Sequence, residues 1–201
     1  MLVSQLEVGP MRNFAYIIGD QEGGSGVVID PTAELDRLEA ELQKYHLNLR
    51  YVINTHAHFD HIGGNQYLRS IGAKLVAHQD APTNPDIKLK HEEILMLGNL
   101  PIRCLHTPGH SFDGICLVAD KYLFTGDTLF IEGCGRTDLP GSDSRAMYHS
   151  LTSIIASLPD ELIVMPGHDY GPVPQRTLGE EKQKNFTLSP RAIDNFRDFM
   201  G

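Results

Sequence analysis

Four residues with metal-ligating side chains occupy six positions in the run Thr55-His56-Ala57-His58-Phe59-Asp60-His61. Imidazole nitrogens and carboxylate oxygens are the donors that zinc and iron accept, and a sharp loop can aim several of them at one point. An H-x-H by itself carries little weight, because two His residues two apart on a strand share one face and need no metal there. Three further residues shift the balance. His110 lies in Thr107-Pro108-Gly109-His110, Asp127 in Gly126-Asp127-Thr128, and His168 in Pro166-Gly167-His168-Asp169. Each follows a short apolar run, at residues 102–106, 122–124 and 162–165, just as the first cluster follows residues 51–53. Loops at strand ends that meet along one sheet edge make a site, because the rigid sheet fixes the groups the loops present.

The elements that must do this positioning can be read from periodicity. Runs rich in Val, Ile and Tyr at residues 2–8, 14–18, 26–29, 51–53 and 74–77 read as strands, and so do 102–106, 114–118, 122–124 and 162–165. Leu35, Leu38, Leu42 and Tyr45 recur at helical spacing, which predicts an amphipathic helix over 33–46 begun by Pro31 or Thr32. Further helices are expected from Gly64 to about Gly72, from a cap at Ser142 or Asp143 to about Ser157, and once or twice beyond Gln175. Residues 80–100 read as loop with one short strand before Gly98. Strands dominate each half and each half ends in helices, which suggests two sheets sandwiched between helices.

Composition narrows the partners. The 201 residues form one domain on this reading, 41% hydrophobic and able to bury a core without disulfides. Lys and Arg number 17 against 26 Asp and Glu, a formal charge of −9 that opposes nucleic-acid binding. No signal peptide or membrane-length apolar run is visible. Cys104, Cys116 and Cys134 lack C-x-x-C spacing, which argues against a disulfide framework or a thiolate zinc site and fits the reducing cytoplasm. Cys104 and Cys116 sit in apolar runs and read as core; nothing beside Cys134 would activate it as a nucleophile. His46, His78, His91, His106 and His149 fall outside the ligand pattern and read as surface or packing residues.

H-x-H-x-D-H, P-G-H, G-D and a second P-G-H, in that order, resemble the metallo-β-lactamase superfamily across nearly the whole chain. The resemblance implies a four-layer αββα sandwich of α/β class with the site at one edge. It also implies one metal held by His56, His58 and His110, a second by Asp60, His61 and His168, and Asp127 bridging them. Two divalent ions, zinc or iron, would then activate water near neutral pH for attack on a carbonyl. Asp60 would hold and orient that water, or act as its base if only one metal is bound, with Asp169 a candidate partner behind the ligands.

Two branches of the superfamily compete. The run His56 to Asn65 (H-A-H-F-D-H-I-G-G-N) and Gly126-Asp127-Thr128-Leu129-Phe130 are similar to glyoxalase II and its small relatives, which implies a hydroxyacylglutathione hydrolase-like thioesterase. Gly133-Cys134-Gly135-Arg136-Thr137-Asp138 and His168-Asp169-Tyr170-Gly171 resemble persulfide dioxygenases, which use one Fe(II) held here by His56, His110 and Asp127. Phe59 and Thr128 stand where those dioxygenases usually carry Ala, and this favours the hydrolase. Both branches imply a glutathione-like small thiol substrate, no nucleic-acid or membrane partner, and an oligomeric state left open between monomer and homo-oligomer. The resemblance places Arg136, Tyr170 and Lys182 near that substrate, although Phe186 follows Asn185 where relatives carry Pro, and this sets Lys182 apart from their pattern.

Overall fold

The computed structural model describes residues 1–32 and 34–189. β1 (Leu2–Val8), β2 (Asn13–Gly19) and β3 (Ser25–Ile29) form an antiparallel meander. β4 (Asn48–Ile53), β5 (Lys74–His78) and β6 (Ile87–Leu89) then add in parallel, completing a six-stranded sheet in chain order. The second sheet begins with β7 (Ile94–Leu97), β8 (Leu100–His106), β9 (Ile115–Ala119) and β10 (Tyr122–Gly126), all antiparallel to their neighbours. A small hairpin of β11 (Leu129–Phe130) and β12 (Gly133–Cys134) interrupts it. β13 (Ile163–Pro166) then runs parallel to β10, and β14 (Arg176–Thr177) closes the edge.

The period of two in the strands sorts side chains into layers. Phe14, Tyr16 and Ile18 of β2 face the inner core with Ile53, Val76, Leu117, Phe124 and Met165, while Ala15 and Ile17 face outward. Being covered on both faces, β2 is buried at every position, which is why it reads as a continuous apolar run. Helix α1 (Leu35–Lys44) covers the outer face with Leu38 and Leu42, and one turn α2 (Phe59–Ile62) precedes α3 (Asn65–Ser70), whose Leu68 joins the same cluster. Burying each such Leu contributes roughly 1.5–3 kcal/mol. On the far side, α4 (Ser144–His149) and α5 (Leu178–Lys184) pack Met147 and Leu178 onto Leu105, Cys116, Leu123 and Val164. The four-layer αββα arrangement is the expected one.

The departures have local causes. α1 is shorter than its hydrophobic spacing suggests: His46 adopts a left-handed φ of +52° and Leu47 N–H returns to Leu42 O, ending the helix. Ala33, within the expected helix, lies outside the described residues, as does the tail beyond Ser189. Asp143 supplies the expected cap of α4, accepting from Arg145 and Ala146 N–H at 2.8 and 3.1 Å. The expected helix to Ser157 changes gauge after His149, into a π turn at Ser150–Ile154 and a 3₁₀ turn at Ile155–Ser157. Ser150 there turns its hydroxyl to Pro108 O at 2.7 Å, tying this segment to the loop before His110. Residues 80–100 hold two short strands rather than one, β6 joining the first sheet and β7 the second. No helix among the described residues is long and apolar enough to cross a membrane.

Gly109 shows how tightly that loop is held. Its φ is +151°, and a Cβ there would lie 2.4–2.6 Å from Met147 backbone and Cβ atoms in α4. Gly109→Ala is therefore expected to lower stability by roughly 2–5 kcal/mol through strain and overpacking. Urea denaturation checks this, and an unchanged midpoint would contradict the packing described.

Candidate metal centre

Four strands deliver the site. β4 ends at Ile53 and leads into the His56–His61 run, β8 into His110, β10 into Asp127 and β13 into His168. The two sheets are stitched together at this edge. Ile115 N–H donates to Thr55 O and Phe14 N–H to Gly167 O across the sheets, each at 2.8 Å, while Gly167 N–H to Gly126 O at 2.8 Å extends the β10–β13 pairing within the second sheet. Gly126, at φ +48°, lets the sheets approach, because a Cβ there would sit 2.3 Å from Thr55 Oγ1. His58 stands at the N-cap position of the single turn α2, its carbonyl accepting from His61 N–H at 3.0 Å, so Asp60 and His61 project from one short helix.

The seven predicted ligands meet as two adjoining sets. His56 Nε2 and His110 Nε2 lie 3.0 and 2.9 Å from His58 Nδ1. His61 Nε2 lies 3.2 Å from His168 Nε2 and 3.4 Å from Asp60 Oδ2. Asp127 stands between the sets, Oδ2 being 3.4 Å from both His110 Nε2 and His168 Nε2, and Oδ1 3.5 Å from His61 Nε2. Such nitrogen–nitrogen spacings suit a shell of ligands about 2.0–2.1 Å from a shared ion. Asp127 Oδ1 is buried with no hydrogen-bond partner, an atom whose need a cation would meet.

Groups behind the ligands aim them. The outward nitrogens of His110 and His168 face the carbonyls of Arg136 and Met11 at 2.8 and 2.9 Å, which directs each Nε2 inward. Asn13 Nδ2 donates to Asp60 Oδ2 at 2.9 Å. The buried carboxylate of Asp30 accepts from Thr55 N–H at 2.7 Å and Thr55 Oγ1 at 2.6 Å, and faces His61 Nδ1 at 3.1 Å. Asp30, His56 and His61 are also close enough to hold an ion as a set. The hydrogen bonds argue otherwise: both Asp30 oxygens are engaged, and His61 turns Nδ1 to Asp30 while Nε2 faces the centre. Asp30 is thus an orienting group.

Electrostatics follow from this crowding. Burial opposes charge on His61, yet Asp127 and Asp30 together lift it to about 9. His56 goes the other way, held well below the usual imidazole range by burial and then by His61. Burial alone would raise Asp127, but His61, His168 and His56 pull it far below the ordinary carboxylate range.

The sequence profile of the metallo-β-lactamase superfamily matches residues 8–97 and 79–168. The chain belongs to that superfamily. Among its relatives, persulfide dioxygenase ETHE1 of Homo sapiens is 34% identical over 93% of this chain and 74% of its own length. The hydroxyacylglutathione hydrolase of a Polaromonas species is 37% identical over 85% of this chain and 67% of its own. The probable polyketide biosynthesis zinc-dependent hydrolase BaeB of Bacillus velezensis is 32% identical over 93% and 86%. The crystal structure of ETHE1 from Myxococcus xanthus superposes with a TM-score of 0.94 at 33% identity, covering all of this chain and 90% of that one. TTHA1623, solved in a di-iron-bound form, gives 0.77 at 31%, covering 92% and 100%. This metallo-β-lactamase superfamily chain thus carries a His/Asp cluster suited to divalent metal, in the company of a dinuclear neighbour.

In front of the superfamily centre lies a cleft of about 800 Å³, lined by His58, Asp60, His110, Asp127 and His168 on its floor. Tyr170 lines it as expected, stacked on His168 at 4.6 Å and 12°, with Phe130 edge-on to both. Arg136 lines it too, but its guanidinium is paired side-on with Asp138 at 2.5 and 2.6 Å. Lys182 needs correction. It lies on α5, whose Leu178 packs against the outer face of the second sheet, and its ammonium binds Leu158 O and Asp160 at 2.7 and 2.6 Å, so it is not among the residues lining the cleft. Asp169 pairs with Arg12 at 2.6 Å rather than with a ligand. Burial pushes the Cys134 thiol up to about 12, in keeping with its reading as incidental.

Two predictions follow from the orienting groups and the charge. Asp30→Asn puts an amide N–H₂ among three donors and is expected to weaken zinc binding about 10- to 100-fold; competition with a chromogenic chelator reads this, and an unchanged affinity would assign Asp30 to folding alone. Below pH 9 the metal-free His61 carries a proton that an ion must displace. Zinc uptake at pH 7 should therefore release about one proton or more and weaken as pH falls. Calorimetry in buffers of different ionisation enthalpy measures this, and zero release would refute the assignment.

Proposed function

We propose that this chain is a metal-dependent thioester hydrolase holding two divalent ions, with His56, His58 and His110 on one, Asp60, His61 and His168 on the other, and Asp127 shared. The observation that carries the reading is the second set. Like those of the first set, the ligand atoms of Asp60, His61 and His168 lie within 4.8 Å of one another, and Asp30 and Asn13 orient two of these residues. A mononuclear site would need only His56, His110 and Asp127.

Bound ions supply Lewis acidity and lower the pKa of water toward ~7, giving a nucleophile at neutral pH. The chain's own residues do the rest. Asp60, steadied by Asn13, faces the cleft, where it holds and orients the attacking water. Phe130 and Tyr170 pack against the His168 ring, edge-on and stacked, and hold its orientation at the cleft. The thioester carbon accepts the water oxygen, its bond to sulfur breaks, one proton of that water passes to the departing sulfur, and the acid and free thiol leave. The thiol is a small one, glutathione being that named for relatives, and the setting is the reducing cytoplasm.

The likeness to ETHE1 of Myxococcus xanthus favours a second reading, a persulfide dioxygenase with one Fe(II). Metal analysis of the purified protein, paired with thiol release from S-lactoylglutathione and from an acyl-N-acetylcysteamine thioester, separates the two. Two ions per chain and chelator-reversible hydrolysis are expected. One iron with O₂ consumption dependent on glutathione persulfide would overturn the hydrolase. Asp127→Ala should abolish activity in either case. His168→Ala should lower hydrolysis by about 10²-fold or more, whereas a mononuclear dioxygenase would tolerate it better.

A further inference from the structure

Phe59 sits between ligands in the His56–His61 run, yet its ring is 77% exposed. Met11 (41%) and Tyr170 (52%) are exposed at the same cleft, and Leu139 and Pro140 complete an apolar wall above the candidate ions. Apolar side chains gathered at one mouth are an arrangement that an apolar ligand would cover. The charges point the same way. Among the described residues, Arg136 is the only Lys or Arg that lines the cleft, and both carboxylate oxygens of Asp138 already occupy its side-on face. Arg12, beside Met11, is paired with Asp169 and Glu7. Asp60 and Asp127, the other charged side chains on the floor, are committed to the candidate ions, and the chain as a whole carries a net charge of −9.

Resting on the thioesterase reading, we infer that the cleft selects an uncharged, apolar thioester, an aliphatic acyl group on a neutral thiol arm, over the thioester of an anionic peptide thiol. The acyl chain lies against Phe59, Met11 and Leu139, and each methylene it buries adds about three- to fourfold in affinity until the wall is covered. A glutathione-type carrier brings two carboxylates to a mouth whose arginines are already matched.

Binding of inert thioethers to the metal-loaded protein tests this apart from turnover. By calorimetry, the S-hexyl thioether of N-acetylcysteamine should bind at least tenfold more tightly than S-hexylglutathione and than its own S-methyl analogue. Phe59→Ala, at an exposed position that leaves the fold intact, should cost the hexyl compound about tenfold and the methyl compound little. S-hexylglutathione binding as tightly or more tightly, no gain from methyl to hexyl, or no detectable binding of either hexyl compound would each overturn the inference. Turnover is read separately with hexanoyl-N-acetylcysteamine thioester. If the binding order holds and no thioester is hydrolysed, the hydrolase reading fails and the cleft's selectivity stands.

Discussion

The constraint on which the rest depends is the crowding of five imidazoles and two carboxylates, all but His58 and Asp60 buried, at one edge between two sheets. Taken from water, such groups are stable only when each polar atom is paired or bound to a cation. The chain meets this in two ways. Outward-facing atoms are matched by protein: Asp30 by Thr55 and His61, His110 by Arg136 O, His168 by Met11 O, Asp60 by Asn13. Inward-facing atoms are left to one another, with Asp127 Oδ1 buried and accepting no hydrogen bond. A centre so arranged is half satisfied by the fold and completed by ions, which couples metal uptake to the stability of the edge itself.

This explains the stitching of the sheets at that edge. The backbone bonds from Ile115 to Thr55, Phe14 to Gly167 and Gly167 to Gly126 all lie beside the ligand loops. They hold the ends of β4, β10 and β13 at fixed separation, and the ligand distances inherit that rigidity. The interlock continues outward, since Asp143 N–H donates to Gly109 O and Ser150 to Pro108 O, so the outer helical layer grips the loop that carries His110. The π turn at Ser150–Ile154 falls at this grip.

Much of this was legible in the residues, and the failures are instructive. The layered fold and all seven converging side chains were visible because ligand-type residues recur just past short apolar runs. The same signal marks Asp30, which directly follows β3, but a lone carboxylate after a strand is also an ordinary turn residue. Asn13 carried no signal, because its link to Asp60 crosses 47 positions and exists only in the fold. The hairpin at Leu129–Cys134 is too short for periodicity to reveal, and a π turn keeps the apolar spacing of the helix it interrupts. Lys182 was placed near substrate by resemblance at a single position, and the packing of α5 turned it to the Leu158–Asp160 turn.

Arg136 shows why a residue type is a weaker guide than its neighbours. Its backbone carbonyl orients His110 while its side chain reaches the cleft, so the residue serves the centre by an atom that every residue possesses. The guanidinium, which the resemblance sets near the substrate, has an internal carboxylate two residues away. Phe59 makes the opposite case. Between two ligands and pointing away from them, it follows from the one-turn helix that must bring Asp60 and His61 to the metal side. The turn that sets the chemistry therefore also sets what the cleft presents to a substrate, so changes of specificity at Phe59 can leave the ligand geometry untouched.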